Sequence, residues 1–457
     1  MRIRVFGHYW NFGALLLRLV ELVVACGSCW VASLLVADPD RTYWLQSLVF
    51  GVCVMVAMVA MGLFSPRLRD RMAGIVLRIT LSAGAGGLLA TALLSLTPYR
   101  LTAPQLFASV GLAWVLLILV RFAGRSLVNE DIFKRHVLIY GAGVSASRLL
   151  QLRRNADQRG FKVMGFVAAG NEPSAVPIER LLDADRPLAE LVARYQIDEI
   201  VVAMDDRRRQ FPFKELLACR LAGVEVTELV TFLERETGKV YLDLLNPSWI
   251  IFGSGFRRDI ARHYSERGLD LLASFGLLVI TAPVMALTAL AIKMEDGLRA
   301  PVLYGQQRVG YGGRLFEVLK FRSMRVDAEK DGGAQWARPN DDRVTRVGRL
   351  IRRSRIDELP QLLNVLSGHM SFVGPRPERP EFVQELAAGI PYYQERHSVK
   401  PGITGWAQLC YPYGASEQDA IEKLQYDLYY VKNHGLIFDI LILLQTVEVI
   451  LLGKGAR

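Results

Sequence analysis

Four long apolar segments in the first 125 residues limit what this chain can fold into. Each segment approaches the ~20 residues that an α-helix needs to cross the hydrocarbon core of a membrane. Hydrophobic residues make up 51% of the whole chain, and they are concentrated in blocks, as they are in membrane proteins. The sequence therefore predicts a membrane α bundle of four transmembrane helices over residues 1–125. The predicted helices cover residues 12–36, 44–64, 73–96 and 104–120.

The loops between these segments predict which ends lie in the cytoplasm. Basic residues precede the first segment and follow the fourth, and Arg67, Arg69 and Arg71 lie between the second and the third. The other two loops carry only Arg41 and Arg100. Because lysine and arginine are enriched in cytoplasmic loops, both ends of the bundle are predicted to lie in the cytoplasm.

Two polar features inside the first segment are interpreted as structural. Arg18 and Glu21 are three residues apart, so they can form an ion pair on one face of the helix. Cys26 and Cys29 form a CxxC motif, but no second pair of metal ligands accompanies it in the sequence. Small side chains in a membrane helix are therefore the expected reading of this motif.

Residues 134–250 are predicted to form a Rossmann-like α/β domain, of the kind that binds CoA or NAD. The apolar run 136–140 reads as a buried strand, and Gly141 and Gly143 of a GxGxxA turn follow it. A strand, this turn and a helix make up the dinucleotide-binding fingerprint. The acidic residue expected at the end of the second strand, 162–168, is absent. A bound NAD and a vestigial, regulatory or oligomerising domain therefore both stay open.

A fifth apolar segment, residues 269–292, contains Pro283 near its centre. Proline in a helix interior removes a hydrogen bond and bends the helix. Basic residues, among them Arg267 and Lys293, flank both ends, so the positive-inside rule gives no direction for a crossing. A kinked re-entrant helix that enters and leaves by the cytoplasmic face satisfies both flanks. An ordinary fifth span is the alternative.

Residues 352–377 read RRSRIDELPQLLNVLSGHMSFVGPRP and carry the most chemical information. Asp357 and Glu358 lie among arginines, including Arg352 and Arg376. Arginines neutralise phosphate oxygens through paired hydrogen bonds. Carboxylates hold a hard cation such as Mg²⁺ or attack phosphorus. This combination is typical of an enzyme that handles a pyrophosphate.

Two neighbouring features are predicted to bind phosphate or nucleotide. A hairpin with a glycine-rich turn presents three basic side chains, and a phosphate or headgroup role competes with a solvated basic surface. In the second feature, two prolines fix the backbone around one arginine, which suits recognition of a nucleobase or a diphosphate. The residues concerned are Arg308, Lys320 and Arg322 in the hairpin, and Pro375 and Pro377 around Arg376.

Two C-terminal segments are predicted to lie at the membrane surface. Residues 422–431 form an amphipathic, aromatic helix in which Tyr426, Tyr429 and Tyr430 suit a membrane interface. Residues 436–452 form an apolar stretch that contains acidic side chains. These acids favour an interfacial helix over a short span.

These motifs resemble those of the monotopic phosphoglycosyl transferases, also called bacterial sugar transferases. The resemblance rests on the motif DELPQLLNVLSGHMSFVGPRP, on KPGITGWAQ at residues 400–408 and on Ala282-Pro283 in the fifth segment. It implies an α+β monotopic catalytic domain over residues 257–457, with the re-entrant helix at 269–292. Larger members of the family carry four spans and a Rossmann-like module ahead of the catalytic part, and that module is not generally regarded as catalytic.

The resemblance also implies a reaction. Asp357 would attack the phosphorus attached to the sugar of a UDP-hexose, UMP would leave, and undecaprenyl phosphate would attack the sugar-phosphoryl aspartate. Asp357 and Glu358 would hold Mg²⁺ (or Mn²⁺), and Arg352 and Arg376 would bind phosphate groups. Such enzymes are multi-pass proteins of the bacterial inner membrane with the catalytic domain on the cytoplasmic face. They carry out the first membrane step of exopolysaccharide, capsule or O-antigen assembly, and residues 409–416 are closer to an exopolysaccharide-associated branch.

Other functions stay open. If the middle domain is catalytic, the protein is an NAD-dependent nucleotide-sugar-modifying enzyme, although the YxxxK pair of such enzymes is not evident. If nothing is catalytic, it is a membrane scaffold or sensor of polysaccharide assembly. The net charge of +10 lies beside apolar segments and in the arginine cluster, which favours membrane lipid headgroups and phosphorylated substrates over nucleic acid. The sequence is compatible with a homodimer and leaves the sugar undetermined.

Overall fold

The structure is a computed structural model in which the chain divides into two compact units, Met1–Leu244 and Leu245–Arg457. The predicted domain boundary between residues 250 and 257 lies outside the described residues, as does the basic loop with Arg67, Arg69 and Arg71. The described residues are 2–5, 8–36, 43–63, 72–127, 134–152, 160–170, 173–183, 186–206, 211–245, 260–325, 343–411, 414 and 416–452.

The first unit begins with a short antiparallel hairpin, β1 (Arg2–Val5) and β2 (His8–Asn11), and continues with four helices. All four apolar segments form helices, as predicted. Stretches of the first, third and fourth helices are long and apolar enough to cross a membrane, and the second is a shorter apolar helix. The helices are α1 (Phe12–Val36), α2 (Trp44–Ala60), α3 (Met72–Ser95) and α4 (Ala103–Leu127).

The buried carboxylate of Glu21 connects two of these helices. It forms an ion pair with Arg121 of α4 at 2.5 Å from Nε, and Arg121 also donates a hydrogen bond to it at 3.2 Å. Arg18 was predicted as the partner because it lies three residues from Glu21 on the same helix. Arg121 is distant in the chain, so spacing could not predict this link between α1 and α4. A charge inside an apolar bundle is costly unless it is paired, and Arg121 provides the pairing from another helix.

Five parallel strands follow in the order β5–β4–β3–β6–β7. The strands predicted at 136–140 and 162–168 are confirmed as β3 and β4. Alternate residues of β3 pack into two different cores, Ile139 into one and Leu138 into the other. A sheet that is buried on both faces explains why its strands are continuously apolar. The elements are β3 (Arg135–Tyr140), α5 (Val144–Ser147), β4 (Phe161–Val167), β5 (Leu181–Leu182), α6 (Leu188–Tyr195), β6 (Glu199–Val202), α7 (Phe213–Leu221), β7 (Glu225–Glu228) and α8 (Leu229–Thr237).

The glycine turn after β3 is occupied by a carboxylate of the same chain. Asp205, which follows β6, accepts hydrogen bonds at 2.8 Å from the backbone N–H groups of Val144 and Ser145. Burial alone would raise the pKa of Asp205, but hydrogen bonds from the Ser145 side chain and from these two amides together lower it. A Cβ atom on Gly143 would lie 2.1 Å from this carboxylate. Gly143 is therefore needed for contact with Asp205, and the amides that follow it already bind an anionic group.

The second unit combines one very long helix, a hairpin and several short elements. The predicted hairpin is confirmed, because β8 pairs antiparallel with β9. Strands β10 and β11 pair in parallel. The elements are α9 (Ile260–Asp296), β8 (Leu303–Val309), β9 (Leu315–Phe321), α10 (Arg346–Arg353), α11 (Gln361–Leu366), β10 (Ser371–Val373), α12 (Pro380–Gly389), β11 (Gly402–Thr404), α13 (Trp406–Cys410), α14 (Glu417–Asn433) and α15 (Leu436–Leu452).

The long helix α9 contains the fifth apolar segment and continues through Pro283. Its stretch Arg262–Asp296 is long and apolar enough to cross a membrane. Near its start, Arg267 donates hydrogen bonds to two carbonyls at the end of α11, at 2.6 and 2.7 Å. Near its end, the carboxylate of Glu295 accepts hydrogen bonds from the first two backbone N–H groups of α10, at 2.8 and 2.9 Å. Both ends of α9 are thus bound to neighbouring short helices of the same unit.

The prediction that Tyr426 and Tyr430 face a membrane interface is wrong. Both side chains of α14 are buried inside the unit, at 2% and 3% exposure. The hydroxyl of Tyr430 donates hydrogen bonds to the Val373 carbonyl of β10 at 3.1 Å and to Asp439 of α15 at 2.9 Å. The aromatic face of α14 is covered by α13 and α15, so a pattern that is typical of an interfacial helix here marks an internal contact.

Candidate active site

Asp357 and Glu358 lie in a 3₁₀ turn, Ile356–Glu358, between α10 and α11. Pro360 follows as the N-cap of α11, so the two carboxylates lie just before the start of that helix. Arg355 precedes the turn in the left-handed region, with φ of 59°. A side chain there costs on the order of 1 kcal/mol, and such strain is concentrated at functional sites. The turn therefore holds two adjacent carboxylates in a conformation that the rest of the fold must maintain.

Glu358 is surrounded by positive charge. Its Oε1 lies 3.4 Å from Nζ of Lys320 in β9, 3.5 Å from a guanidinium nitrogen of Arg376 and 3.7 Å from one of Arg355. Burial alone would raise the pKa of Glu358, but Arg376, Lys320 and Arg355 together lower it to about 2. Glu358 is therefore ionised at neutral pH and holds three cationic groups next to the turn.

Asp357 has a different environment although it is the adjacent residue. Its side chain is buried, and Oδ1 has no hydrogen-bond partner in the part of the chain that the structure describes. Burial and the charge of Glu358 raise the pKa of Asp357, and Lys320, Arg352 and Arg355 oppose that increase. Adjacent carboxylates whose pKa values move in opposite directions are typical of groups with different chemical roles. Asp357 has a free oxygen, whereas Glu358 is engaged in ion pairs.

The structure brings some of the predicted phosphate-binding residues to this turn. Lys320 and Arg376 contact Glu358, and Arg352 is close enough to Asp357 to affect its pKa. Arg352 also donates a hydrogen bond to the Ser323 hydroxyl at 2.8 Å, which orients its guanidinium. These three cations could bind phosphate groups placed against Asp357.

Arg308 and Arg322 are placed differently from these three. Arg308 donates a hydrogen bond to the Pro377 carbonyl at 3.2 Å and lies 3.5 Å from the Glu378 carboxylate. Its described contacts therefore support the turn around Arg376. One guanidinium nitrogen of Arg322 is buried without a hydrogen-bond partner among the described residues. That part of the chain includes no contact between Arg322 and the two carboxylates, so its phosphate-binding role stays a prediction.

A buried asparagine, which the sequence analysis missed, fixes Lys320 relative to Asp357. Asn364 of α11 accepts a hydrogen bond from the backbone N–H of Leu319 at 2.9 Å and donates one to the carbonyl of Glu317 at 2.7 Å. Its side chain thus pairs with the backbone of β9 as a neighbouring strand would. The only signal in the sequence is a polar residue among the apolar side chains that follow Gln361 in this helix.

Three consecutive carbonyls fix the turn that carries Arg376. The Pro375 carbonyl accepts a hydrogen bond from Gly402 N–H at 3.0 Å, and the Pro377 carbonyl accepts one from Arg308 at 3.2 Å. Between them, the Arg376 carbonyl accepts one from buried Arg396 at 3.0 Å. The prolines predicted a rigid turn, and these hydrogen bonds fix its position in the unit. Arg396 was missed because it is distant in sequence.

The carboxylates were also predicted to hold Mg²⁺. The described residues contain no group of three or more His, Cys, Asp or Glu side chains arranged for a metal. Mg²⁺ often takes only one or two carboxylates and completes its shell with water and substrate phosphates. The unpartnered Oδ1 of Asp357 fits such a ligand, whereas Glu358 fits it less well because three cationic groups surround it.

Residues 261–453 match the family model described as bacterial sugar transferase. A UDP-N-acetylgalactosamine-undecaprenyl-phosphate N-acetylgalactosaminephosphotransferase of Aeromonas hydrophila is 42% identical over 57% of this chain and 60% of its own length. An undecaprenyl-phosphate glucose phosphotransferase of Komagataeibacter xylinus is 32% identical over 76% of this chain and 66% of its own length. A UDP-glucose:undecaprenyl-phosphate glucose-1-phosphate transferase of Escherichia coli K12 is 33% identical over 76% of this chain and 74% of its own length. The chain thus spans less than two thirds of the first two relatives and about three quarters of the third.

Replacing Glu358 with glutamine is expected to destabilise the protein. The three cationic groups would lose their shared anion, which costs roughly 1–3 kcal/mol of unfolding free energy at pH 7. Because the pKa of Glu358 is lowered from 4.5 to about 2, its contribution to stability is present above pH 4.5 and is lost as the pH falls towards 2.

The test compares thermal unfolding midpoints of the full-length wild type and Glu358→Gln from pH 7 down to pH 3. The difference in midpoint should be largest at pH 7. It should become smaller below pH 4.5, where protonation of Glu358 begins to remove its stabilising ion pairs from the wild type. The matched control is Glu385→Gln, an exposed carboxylate on α12. A Glu358→Gln variant as stable as this control at pH 7 would contradict the proposed electrostatics.

Proposed function

Because the chain belongs to the bacterial sugar transferase family, we propose that it transfers a hexose-1-phosphate from a UDP-sugar to undecaprenyl phosphate. The products are UMP and undecaprenyl diphosphate-sugar, the start of exopolysaccharide, capsule or O-antigen assembly. The observation that carries the proposal is the environment of Asp357, a buried carboxylate with one unpartnered oxygen beside a cluster of cations. The names of the relatives agree on undecaprenyl phosphate but differ in the sugar, so the hexose stays undetermined.

Asp357 is proposed as the nucleophile. Its oxygen attacks the phosphorus that bears the sugar, the new O–P bond forms, and the bond to UMP breaks. The phosphate of undecaprenyl phosphate then attacks the same phosphorus and returns the electron pair to Asp357. Two displacements replace one difficult reaction between anions, and ping-pong kinetics follow. Asp357 must be ionised to attack phosphorus. Because its pKa is raised, activity should be lost earlier, at a higher pH, than with an ordinary aspartate when the pH is lowered.

Lys320, Arg352 and Arg376 are proposed to bind the phosphate oxygens of the donor. Each lies beside the carboxylates, and preorganised cations stabilise the charge that accumulates during phosphoryl transfer. Glu358 keeps two of them, Lys320 and Arg376, close to Asp357 before substrate arrives. Mg²⁺ would be held chiefly by Asp357 and, when bound, would neutralise phosphate charge; Mn²⁺ is the alternative.

We also propose that α9 is re-entrant and that the catalytic unit lies on the cytoplasmic face of the bacterial inner membrane. A crossing helix would separate its ends by roughly 30 Å of hydrocarbon. The two ends of α9, however, bind α10 and α11 through Glu295 and Arg267. The contacted backbone groups, in Arg346–Val347 and Val365–Leu366, lie on either side of the turn that holds Asp357. This arrangement favours a helix whose two ends lie on the same side as the active site.

The sheet domain is proposed to be Rossmann-like in topology and not to be the catalytic part. Its strand order places β3 at the centre with crossovers to both sides, as doubly wound sheets do. The amides that a dinucleotide diphosphate would use already bind Asp205. These contacts favour a structural, regulatory or dimerising role over NAD-dependent chemistry.

UMP release is expected to depend on Asp357. Full-length protein with undecaprenyl phosphate and Mg²⁺ should release UMP from at least one member of a panel of UDP-sugars, and the best donor identifies the sugar. Asp357→Asn should lower the rate by at least about 10³-fold, because the amide is a poor nucleophile. Glu385→Gln, an exposed carboxylate in the same unit, should retain the wild-type rate. Equal rates for wild type and Asp357→Asn would exclude Asp357, and no release from any donor would favour a scaffold.

The topology of α9 can be tested with variants that each add one cysteine to the wild-type chain. Tyr264 and Leu298, near its two ends, are 71% and 84% exposed, and Tyr99, between α3 and α4, is 47% exposed. In inside-out membrane vesicles, a membrane-impermeant thiol reagent should label Tyr264→Cys and Leu298→Cys but not Tyr99→Cys. The wild type is the background control, since four of its five cysteines are buried and Cys26 is partly buried. Labelling of Tyr264→Cys and Leu298→Cys from opposite sides would show that α9 crosses the membrane.

A further inference from the structure

We propose that Arg396 is a positioning residue that holds Arg376 in place and thereby controls binding of the donor's diphosphate. Arg396 lies in the 3₁₀ segment Tyr393–Ser398, after α12. Its guanidinium donates a hydrogen bond to the main-chain carbonyl of Arg376 at 3.0 Å, and the Arg376 side chain contacts Glu358 beside Asp357. The inference rests on the proposed function and adds to it a residue outside the conspicuous motif.

The guanidinium of Arg396 is buried and uses each of its nitrogens. Nε and Nη2 donate to one carboxylate oxygen of Asp427 in α14 at 3.1 and 2.8 Å, and Nη1 donates to the Tyr393 hydroxyl at 2.9 Å. Nη2 is shared with the Arg376 carbonyl. Side-chain exposure is 6% for Arg396 and 3% for Asp427. The side chain therefore has a single orientation, which α14 and its own segment determine together.

A buried ion pair is an expensive way to satisfy one carbonyl. Removing two charges from water costs several kcal/mol for each ion, and apolar residues often stabilise a protein as well or better. What the pair provides is a fixed geometry, because the planar guanidinium reaches Asp427 and Arg376 at the same time. A lysine in this place would keep the charge opposite Asp427 but lacks the second donor arm.

The turn that carries Arg376 depends on this contact more than an ordinary turn would. The residues on both sides are prolines, which have no N–H group to anchor them. The carbonyls of Pro375 and Pro377 are bound by Gly402 and Arg308, so Arg396 supplies the middle contact of three. Without it, the Arg376 guanidinium can shift, and misplacement by about 1 Å can reduce a rate by ~10²-fold.

The two half-reactions of the proposed mechanism provide a specific readout. In ping-pong kinetics, kcat/KM for the UDP-sugar reports the first half-reaction, and kcat/KM for undecaprenyl phosphate reports the second. Arg396→Lys should lower kcat/KM for the UDP-sugar about 10–100-fold and change kcat/KM for undecaprenyl phosphate by less than about threefold. The thermal midpoint, measured in parallel, should fall slightly but stay well above the assay temperature. A loss that affects both substrates equally, or a midpoint that falls to the assay temperature, would overturn the proposal.

A double-mutant cycle tests whether Arg396 acts through Arg376. The four proteins are the wild type, Arg396→Lys, Arg376→Ala and the double variant, each assayed for UDP-sugar turnover and for UMP affinity. If Arg396 acts through Arg376, Arg396→Lys should cost less than about threefold once Arg376 has been removed. Losses that multiply in both assays would show that the two arginines act independently and would overturn the proposal.

Tyr393→Phe is the matched structural control. It removes the hydrogen bond from Nη1 of Arg396 and leaves the bonds to Asp427 and Arg376 possible. It should lower the thermal midpoint slightly and keep kcat/KM for the UDP-sugar within about threefold of the wild type. A loss equal to that of Arg396→Lys would indicate a general packing effect. Absence of UMP release by the wild type would overturn the proposed function, whereas wild-type release with multiplying losses overturns only the role of Arg396.

Discussion

One carboxylate oxygen, Oε1 of Glu358, lies within 3.7 Å of cationic groups from three separate parts of the catalytic unit. Lys320 comes from the hairpin, Arg376 from the turn after β10, and Arg355 from the position just before the 3₁₀ turn. Without that anion, three positive groups would repel one another across a partly buried site. Among the described residues, Oδ1 of the neighbouring Asp357 has no hydrogen-bond partner. Assembly of the cations beside the proposed nucleophile thus depends on one ionised side chain.

Hydrogen bonds between distant parts of the chain position the residues of this site. Asn364 fixes the strand that carries Lys320, and Arg396 fixes the turn that carries Arg376. The ends of α9 bind the two helices that flank the carboxylates, through Arg267 and Glu295. The apolar helix is therefore part of the framework of the candidate active site, so the proposed anchoring of this helix in a membrane also positions the turn with the two carboxylates. This suits a reaction between a water-soluble nucleotide sugar and a lipid phosphate.

Much of the fold could be predicted because it is encoded locally. Apolar segments of membrane length gave the four N-terminal helices, and continuous apolar runs gave β3 and β4. The adjacent pair Asp357 and Glu358 was evident because one contiguous motif contains it. Contacts between distant residues could not be predicted this way: Asp205 lies 60 and 61 residues from the two amides that it binds, and Arg396 lies 20 residues from Arg376. Periodicity predicted an aromatic face on α14 but could not show that α13 and α15 cover it.

The proposed mechanism requires Asp357 to become covalently attached to a sugar phosphate. The most direct measurement incubates full-length protein with its UDP-sugar and Mg²⁺ in the absence of undecaprenyl phosphate, quenches the reaction and analyses the peptides by mass spectrometry. A covalent intermediate on Asp357 predicts stoichiometric release of UMP and a peptide containing Asp357 that is heavier by one sugar phosphate. Undecaprenyl phosphate, added before the quench, should remove that mass. UMP release only in the presence of undecaprenyl phosphate, or a sugar phosphate on another residue, would contradict the proposed role of Asp357.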